Sequence, residues 1–194
     1  MDTMFTKKLS ALIGLLICLS HLGFASTLSQ AAQENAPKPK SVADANLVIL
    51  QYHHVSNKTP KSTSITPELF AEHMEYLANN HNVIALDKAI DAIKNNETLP
   101  AKSVAITFDD GFVNILQDAH PILQKHNFEY TIFINPAIIG EYGGQLTWEQ
   151  VKQMQPLAHF ANHTLDHAHL LNKVDNESDE DWLARVMQDI NQGE

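Results

Sequence analysis

Basic residues are scarce in this chain of 194 residues. Thirteen Lys and Arg, of which Arg185 is the one arginine, stand against 23 Asp and Glu. A formal charge of −10 argues against nucleic acid or anionic lipid headgroups as partners. Cysteine is rarer still: Cys18 stands alone, so no disulfide can staple the fold. No internal repeat or low-complexity block is present. Apolar runs of membrane length are missing too, because the longest, LSALIGLLICLSHLGF, is too short for a comfortable span and lacks a stop-transfer flank.

That run reads instead as an address. Lys7 and Lys8 precede it, and Gly23-Phe24-Ala25 offers small residues where a signal peptidase reads. Residues 1–25 are therefore expected to be a signal peptide cleaved after Ala25, an uncleaved anchor being the alternative. Leu16-Ile17 before Cys18 does not suit lipidation. Removal of this segment leaves 11 basic and 22 acidic residues, a formal charge of −11, and no cysteine, as suits an exported bacterial periplasmic or secreted protein with a real hydrophobic core. Residues 26–46 carry Pro37 and Pro39 among small and polar residues without apolar periodicity, and read as a flexible linker. Residues 47–194 are enough for one domain.

From Leu47 the pattern alternates. LVILQYHHV reads as a buried strand. TPELFAEHMEYLANN reads as a helix with Thr66 as N-cap, Pro67 in its first turn, and Leu69, Met74 and Leu77 near helical spacing. NVIAL is a strand, DKAIDAIKNN a helix, SVAITF a strand, and VNILQDAHPILQKHN a helix kinked near Pro121. YTIFIN and LAHFAN are strands flanking TWEQVKQMQ, whose Thr147 and Gln150 have capping-box form. Ser178 caps a last helix ending about Gln192. Such alternation predicts parallel βα units with strands buried on both faces.

Functional groups in such architectures collect at the carboxyl ends of the strands. There VAITFDDGF, Val104 to Phe112, ends in two adjacent acids and a glycine. Asp110-Gly111 can be a plain turn with Asp109 as a helix N-cap. Adjacent carboxylates at the mouth of a buried strand repel each other, however, and a cation or a shared proton offsets that cost. Histidines answer the need for partners: Asn162-His163-Thr164-Leu165-Asp166-His167 follows another strand and sets two imidazoles four residues apart. They can share one face of a helix or converge in a tight loop. Two His and one Asp make a three-ligand site with an open position, typical of catalytic rather than structural zinc. His169 competes as a ligand; His53, His54 and His159 can be simple packing or surface residues. Thr164 can hold the histidine loop or merely cap, and Gly111 lets the chain turn closely beneath the site.

Thr107-Phe108-Asp109-Asp110-Gly111 with His163-Thr164-Leu165-Asp166-His167 resembles the first two motifs of the polysaccharide deacetylase family, the NodB homology or carbohydrate esterase 4 group. Tyr52-His53-His54-Val55 resembles the strand that often precedes this domain in exported bacterial members. The resemblance covers most of the chain from Leu47. It implies an α/β fold, a distorted (β/α) barrel of the NodB type. It also implies Asp109 as general base, and Asp110, His163 and His167 as ligands of a divalent metal, with zinc preferred and cobalt or nickel as alternatives. The implied partner is an acetylated polysaccharide, and the implied reaction is hydrolysis of its acetyl groups, with N-acetylglucosamine units as the expected substrate. An O-acetyl xylan esterase and a non-catalytic glycan-binding relative are the rival readings.

The chain departs from the family after its second motif. Arg-x-Pro-aromatic-Gly, Asp-x-x-Asp-Trp and Leu-x-His segments, the last holding the family's general acid, are missing. Asp179-Glu180-Asp181-Trp182 reads instead as the acidic first turn of a helix, where carboxylates favour the dipole. Arg185 lies inside that helix. The expectation is thus a barrel incomplete at its C-terminal end, with an open edge, exposed apolar faces and poor solubility.

Overall fold

The computed structural model describes residues 47–194 except Tyr142. The expected signal peptide and linker lie outside the described residues, which fall within one compact unit. Seven strands form: β1 Leu47–Tyr52, β2 His54–Val55, β3 Ser64–Ile65, β4 Asn82–Val83, β5 Ser103–Asp109, β6 Tyr130–Ile134 and β7 Ala158–Asn162. Helices α1 Pro67–Asn80, α2 Leu86–Lys94, α3 His120–His126, α4 Trp148–Met154 and α5 Asp179–Gln192 separate them, with a π-helical segment, Ile115–Ala119, leading into α3.

The five-stranded main sheet is parallel throughout, in the order β1-β5-β6-β7, with β4 also on β5. Strand β5 is its centre. β1 runs along one edge from Leu47 opposite Ser103 to Tyr52 opposite Phe108. The other edge is shared, by β4 at Ser103 and Val104 and by β6 at Thr107 to Asp109. Strands β2 and β3 form a separate parallel pair. Among the described residues the sheet does not close on itself, so the architecture is an open, incomplete (β/α) barrel, as expected.

Period-two alternation decides what β5 shows to each side. Val104, Ile106 and Phe108 join Tyr130, Ile132 and Ile134 of β6 in the main core, against Phe70, Met74 and Leu77 of α1 and Ile115, Ala119 and Leu123 of the α3 region. Phe108 anchors it, with ring centroids 5.6 Å from Tyr52, 5.9 Å from Phe70 and 5.6 Å from Tyr130. Burial of each such side chain contributes about 1.5–3 kcal/mol. Ala105, Thr107 and Asp109 take the opposite face, so this strand delivers an acid at its carboxyl end away from the greasy side.

Capping follows the sequence. Thr66 Oγ1 accepts from Leu69 N at 3.2 Å, Thr147 and Gln150 bond reciprocally at 2.9 and 3.3 Å, and Ser178 Oγ accepts from Asp181 N at 3.1 Å. Pro121 sits in the first turn of α3, where the π segment meets it.

Three expectations need correction. LVILQYHHV is not one buried strand: it breaks at His53, and Val48 and Ile49 are 56% and 50% exposed because no strand pairs with β1 on its outer side among the described residues. NVIAL contributes only Asn82 and Val83, since α2 begins at Leu86. In α1 the inward residue is Phe70; Leu69 is 45% exposed.

Candidate metal centre

The chain reverses direction at the end of β5 by taking two consecutive left-handed residues, Asp110 at φ +70° and Gly111 at φ +67°. A Cβ on Gly111 would stand 3.1 Å from Ile134 Cγ2 and 3.2 Å from Ile139 Cδ1, so the close approach and the backbone both call for glycine here. This turn separates the two acids. Asp109 stays on the strand, 4% exposed, and Asp110 swings to the mouth of the sheet.

The histidines arrive from β7, two strands away. His163 N donates to Ile134 O at 2.9 Å, extending the β6–β7 ladder by one residue. The chain then turns through Thr164 at φ +70° and His167 at φ +62° as a tight loop rather than a helix. Asp110, Thr164 and His167 are three of the seven non-glycine residues with positive φ among the described residues, so backbone strain of about 1–3 kcal/mol each concentrates at this spot. Surrounding contacts must hold it.

Asparagines supply them. Asn135, fully buried just after β6, donates through Nδ2 to His163 O and, at 3.2 Å, to Thr164 O. Asn162 Oδ1 accepts from Thr164 N at 2.6 Å, while its Nδ2 donates to Ile190 O of α5 at 2.7 Å. Behind it Gly193 packs so closely that a Cβ would meet Asn162 Oδ1 at 2.6 Å. The Thr164 hydroxyl lies only at the limit of Asn135 Nδ2, 3.5 Å, so the asparagines hold this loop more firmly than the threonine does.

Asp110 Oδ1 lies 3.3 Å from His163 Nε2 and 3.3 Å from His167 Nε2, and one ligand atom from each residue falls within 4.8 Å of the other two. The imidazole centroids are 5.3 Å apart. That Oδ1 is buried and has no hydrogen-bond partner. An orphaned carboxylate oxygen facing two imidazole nitrogens is costly unless something positive occupies the space between them. A divalent ion fits this donor set, one oxygen and two nitrogens. His169 is exposed and outside the cluster; His159 lies on the β7 flank, 3.8 Å from both Asp87 and Glu129.

Asp109 is bound differently. Its Oδ2 accepts from Gln51 Nε2 at the end of β1, and His53 Nε2 stands 3.7 Å from the same oxygen. His54 Nδ1 pairs with Asn114 Nδ2 at 2.9 Å, its ring stacks on Phe112 at 3.7 Å, and Asn114 Oδ1 accepts from Val55 N at 3.0 Å. Burial lowers the His54 pKa, opposed by the Asp110 charge. Beside this corner opens a polar hollow of about 220 Å³, lined by Gln51, His53, His54 and Ser62 to Ile65.

All four residues singled out in the sequence therefore converge on one end of the sheet. Gln51, Asn114, Asn135 and Asn162 were not singled out for any such part. The signal available was compositional: Gln51, Asn135 and Asn162 are each the lone amide near or just past the carboxyl end of a strand.

Further along, Arg185 on α5 makes a two-pronged pair with Glu177, both contacts 2.8 Å, and donates to Asn172 O at 2.9 Å. The Arg185 hydrogen bond holds the Glu177 carboxyl down, at about 2. These contacts tie the loop after His167 to α5, whose first turn is acidic as expected.

Comparison with known proteins agrees with this geometry. The sequence matches the Polysaccharide deacetylase family over residues 96–192. YxkH of Bacillus subtilis strain 168, assigned to the polysaccharide deacetylases, is 35% identical over 133 residues, 68% of this chain and 47% of that protein. The poly-β-1,6-N-acetyl-D-glucosamine N-deacetylase of Staphylococcus aureus strain MSSA476 is 25% identical over 183 residues, 84% of this chain and 63% of that one. The chain thus spans from about half to just under two thirds of the length of these relatives. Among solved structures, IcaB from Ammonifex degensii superposes with a TM-score of 0.65 at 25% identity, covering 76% of this chain and 66% of that one.

Proposed function

The chain belongs to the polysaccharide deacetylase family, and from that premise we propose that it hydrolyses acetyl groups from N-acetylglucosamine units of an extracellular or cell-envelope glycan, with a divalent metal as cofactor. The observation that carries this reading is the orphaned Asp110 Oδ1 between two imidazoles, with a second, separately held acid next to it. The name of the Staphylococcus aureus relative supports the choice of glycan.

Asp110, His163 and His167 would hold the ion, zinc being the best match to one carboxylate and two imidazoles. When bound, it supplies Lewis-acid polarisation of the acetamide carbonyl and a lowered pKa for water. Asp109, excluded from that ligand set, takes a proton from the attacking water as the water oxygen bonds to the acetyl carbon. As the carbon–nitrogen bond breaks, Asp109 returns that proton to the nitrogen, so the products are the free amine and acetic acid, which ionises to acetate. Asn135 and Asn162 keep the histidine loop in its strained turn throughout, so no reorganisation is required of it during the reaction.

A signal peptide over residues 1–25 and a linker over 26–46 would deliver the 47–194 domain outside the cytoplasm. No helix among the described residues is long and apolar enough to cross a membrane.

The test is acetate release from β-1,6-linked and β-1,4-linked N-acetylglucosamine oligomers and from acetylated xylan, with zinc and with a chelator. Chelator-sensitive release from the glucosamine oligomers is expected. Release from xylan alone would make the chain an O-acetyl esterase, and glycan binding without release would make it a non-catalytic relative.

A further inference from the structure

We propose that Gln51 is the positioning residue of the catalytic carboxylate: its side-chain amide selects which oxygen of Asp109 is free to accept a proton. The inference rests on the role of Asp109 proposed above.

Strand β1 reads LVILQY, apolar except for Gln51. The backbone register sets Gln51 opposite Thr107, two residues before Asp109 and on the same face of β5, so its side chain has only to lean forward along the neighbouring strand to reach the acid. Gln51 is exposed on the open side of the sheet, where its amide could be hydrated at no cost. Instead its Nε2 donates to a carboxylate that is 4% exposed.

The bond falls on Oδ2 alone. His53 Nε2, the other donor nearby, stands 3.7 Å from that oxygen, outside hydrogen-bonding range, so among the described residues Gln51 is the donor that fixes this carboxylate. Asp110 faces the histidine loop instead, with its Oδ1 unbonded, and does not share this contact. A free carboxylate rotates and presents either oxygen. One tied by a charge-assisted hydrogen bond through Oδ2 presents Oδ1 in a fixed direction, which is what a base must do to meet a water held at a defined place. The amide is thus set to act on the orientation of Asp109 from outside the Asp110, His163 and His167 cluster.

Gln51→Leu, made in the full chain, keeps the bulk and removes the donor; Gln51→His restores an N–H at similar reach. With N-acetylglucosamine oligomers as substrate, Gln51→Leu is expected to lower kcat by about tenfold to hundredfold. KM, zinc stoichiometry and the thermal midpoint should stay at wild-type values, and Gln51→His should recover most of the rate. Wild-type kcat in Gln51→Leu would overturn the proposal while leaving the function intact. So would a loss accompanied by lost zinc or lost fold, or one that Gln51→His does not repair. An inactive wild-type chain would overturn the proposed function, and this role with it.

Discussion

Asp109 and Asp110 are adjacent, identical in chemistry, and differently employed, because the backbone turns left-handed between them. Asp109 remains part of β5 and receives an amide from the neighbouring strand. Asp110, at φ +70°, receives nothing but the company of two imidazoles. Gly111 makes the division possible. Gly111→Ala would bring a methyl group to 3.1 Å from Ile134 Cγ2 while holding alanine at φ +67°. A loss of about 1–3 kcal/mol in urea unfolding is expected, and an unchanged midpoint would contradict the tight turn. At this scale the sequence was legible in its acids and histidines, since motif spacing survives without knowledge of the fold. It was not legible in Gln51 or Asn135. An amide hydrogen-bonds to whatever the tertiary register places beside it, and that register is set by strand pairing rather than by local sequence.

At the scale of elements, caps and periodicity carried most of the information. Thr66, Thr147 and Ser178 begin helices where they were expected to, because a side-chain cap satisfies backbone donors a few residues away. Leu69 and Phe70 could not be told apart in the same way. They are neighbours on the helix, both apolar, and only the position of β5 decides that the aromatic ring faces in. The region of α3 adds a titratable contact to the core: His120 Nδ1 lies 2.7 Å from the Tyr130 hydroxyl, and burial lowers its pKa below the ordinary 6.5. The unfolded chain therefore binds this proton more readily than the folded one. The fold keeps the full benefit of neutral His120 above pH 6.5 and loses it progressively as the pH falls below that value. His54 acts in the same direction. Stability measured by thermal unfolding should fall from pH 7 to pH 5, less steeply in His120→Gln. Equal slopes would exclude His120 as a contributor.

For the whole molecule, the parallel topology explains why residues more than fifty apart in sequence share one site. β5 and β6 are adjacent, β6 and β7 are adjacent, and all three end on the same side, so Asp110 and His163 meet across two strand spacings. Alternation of strands and helices foretold this much. It did not foretell the exposure of Val48 and Ile49, since an apolar run reads alike in a central strand and in one whose outer edge has no partner. We propose a division of labour at the shared end of the sheet, in which Asp110, His163 and His167 hold a metal and Asp109 moves the proton. The most direct measurement follows zinc content and acetate release together, in the wild-type chain and in Asp109→Asn. One zinc per chain in both proteins, with release from N-acetylglucosamine oligomers by the wild type only, is the predicted result. Release by Asp109→Asn at the wild-type rate, or loss of zinc along with activity, would contradict it.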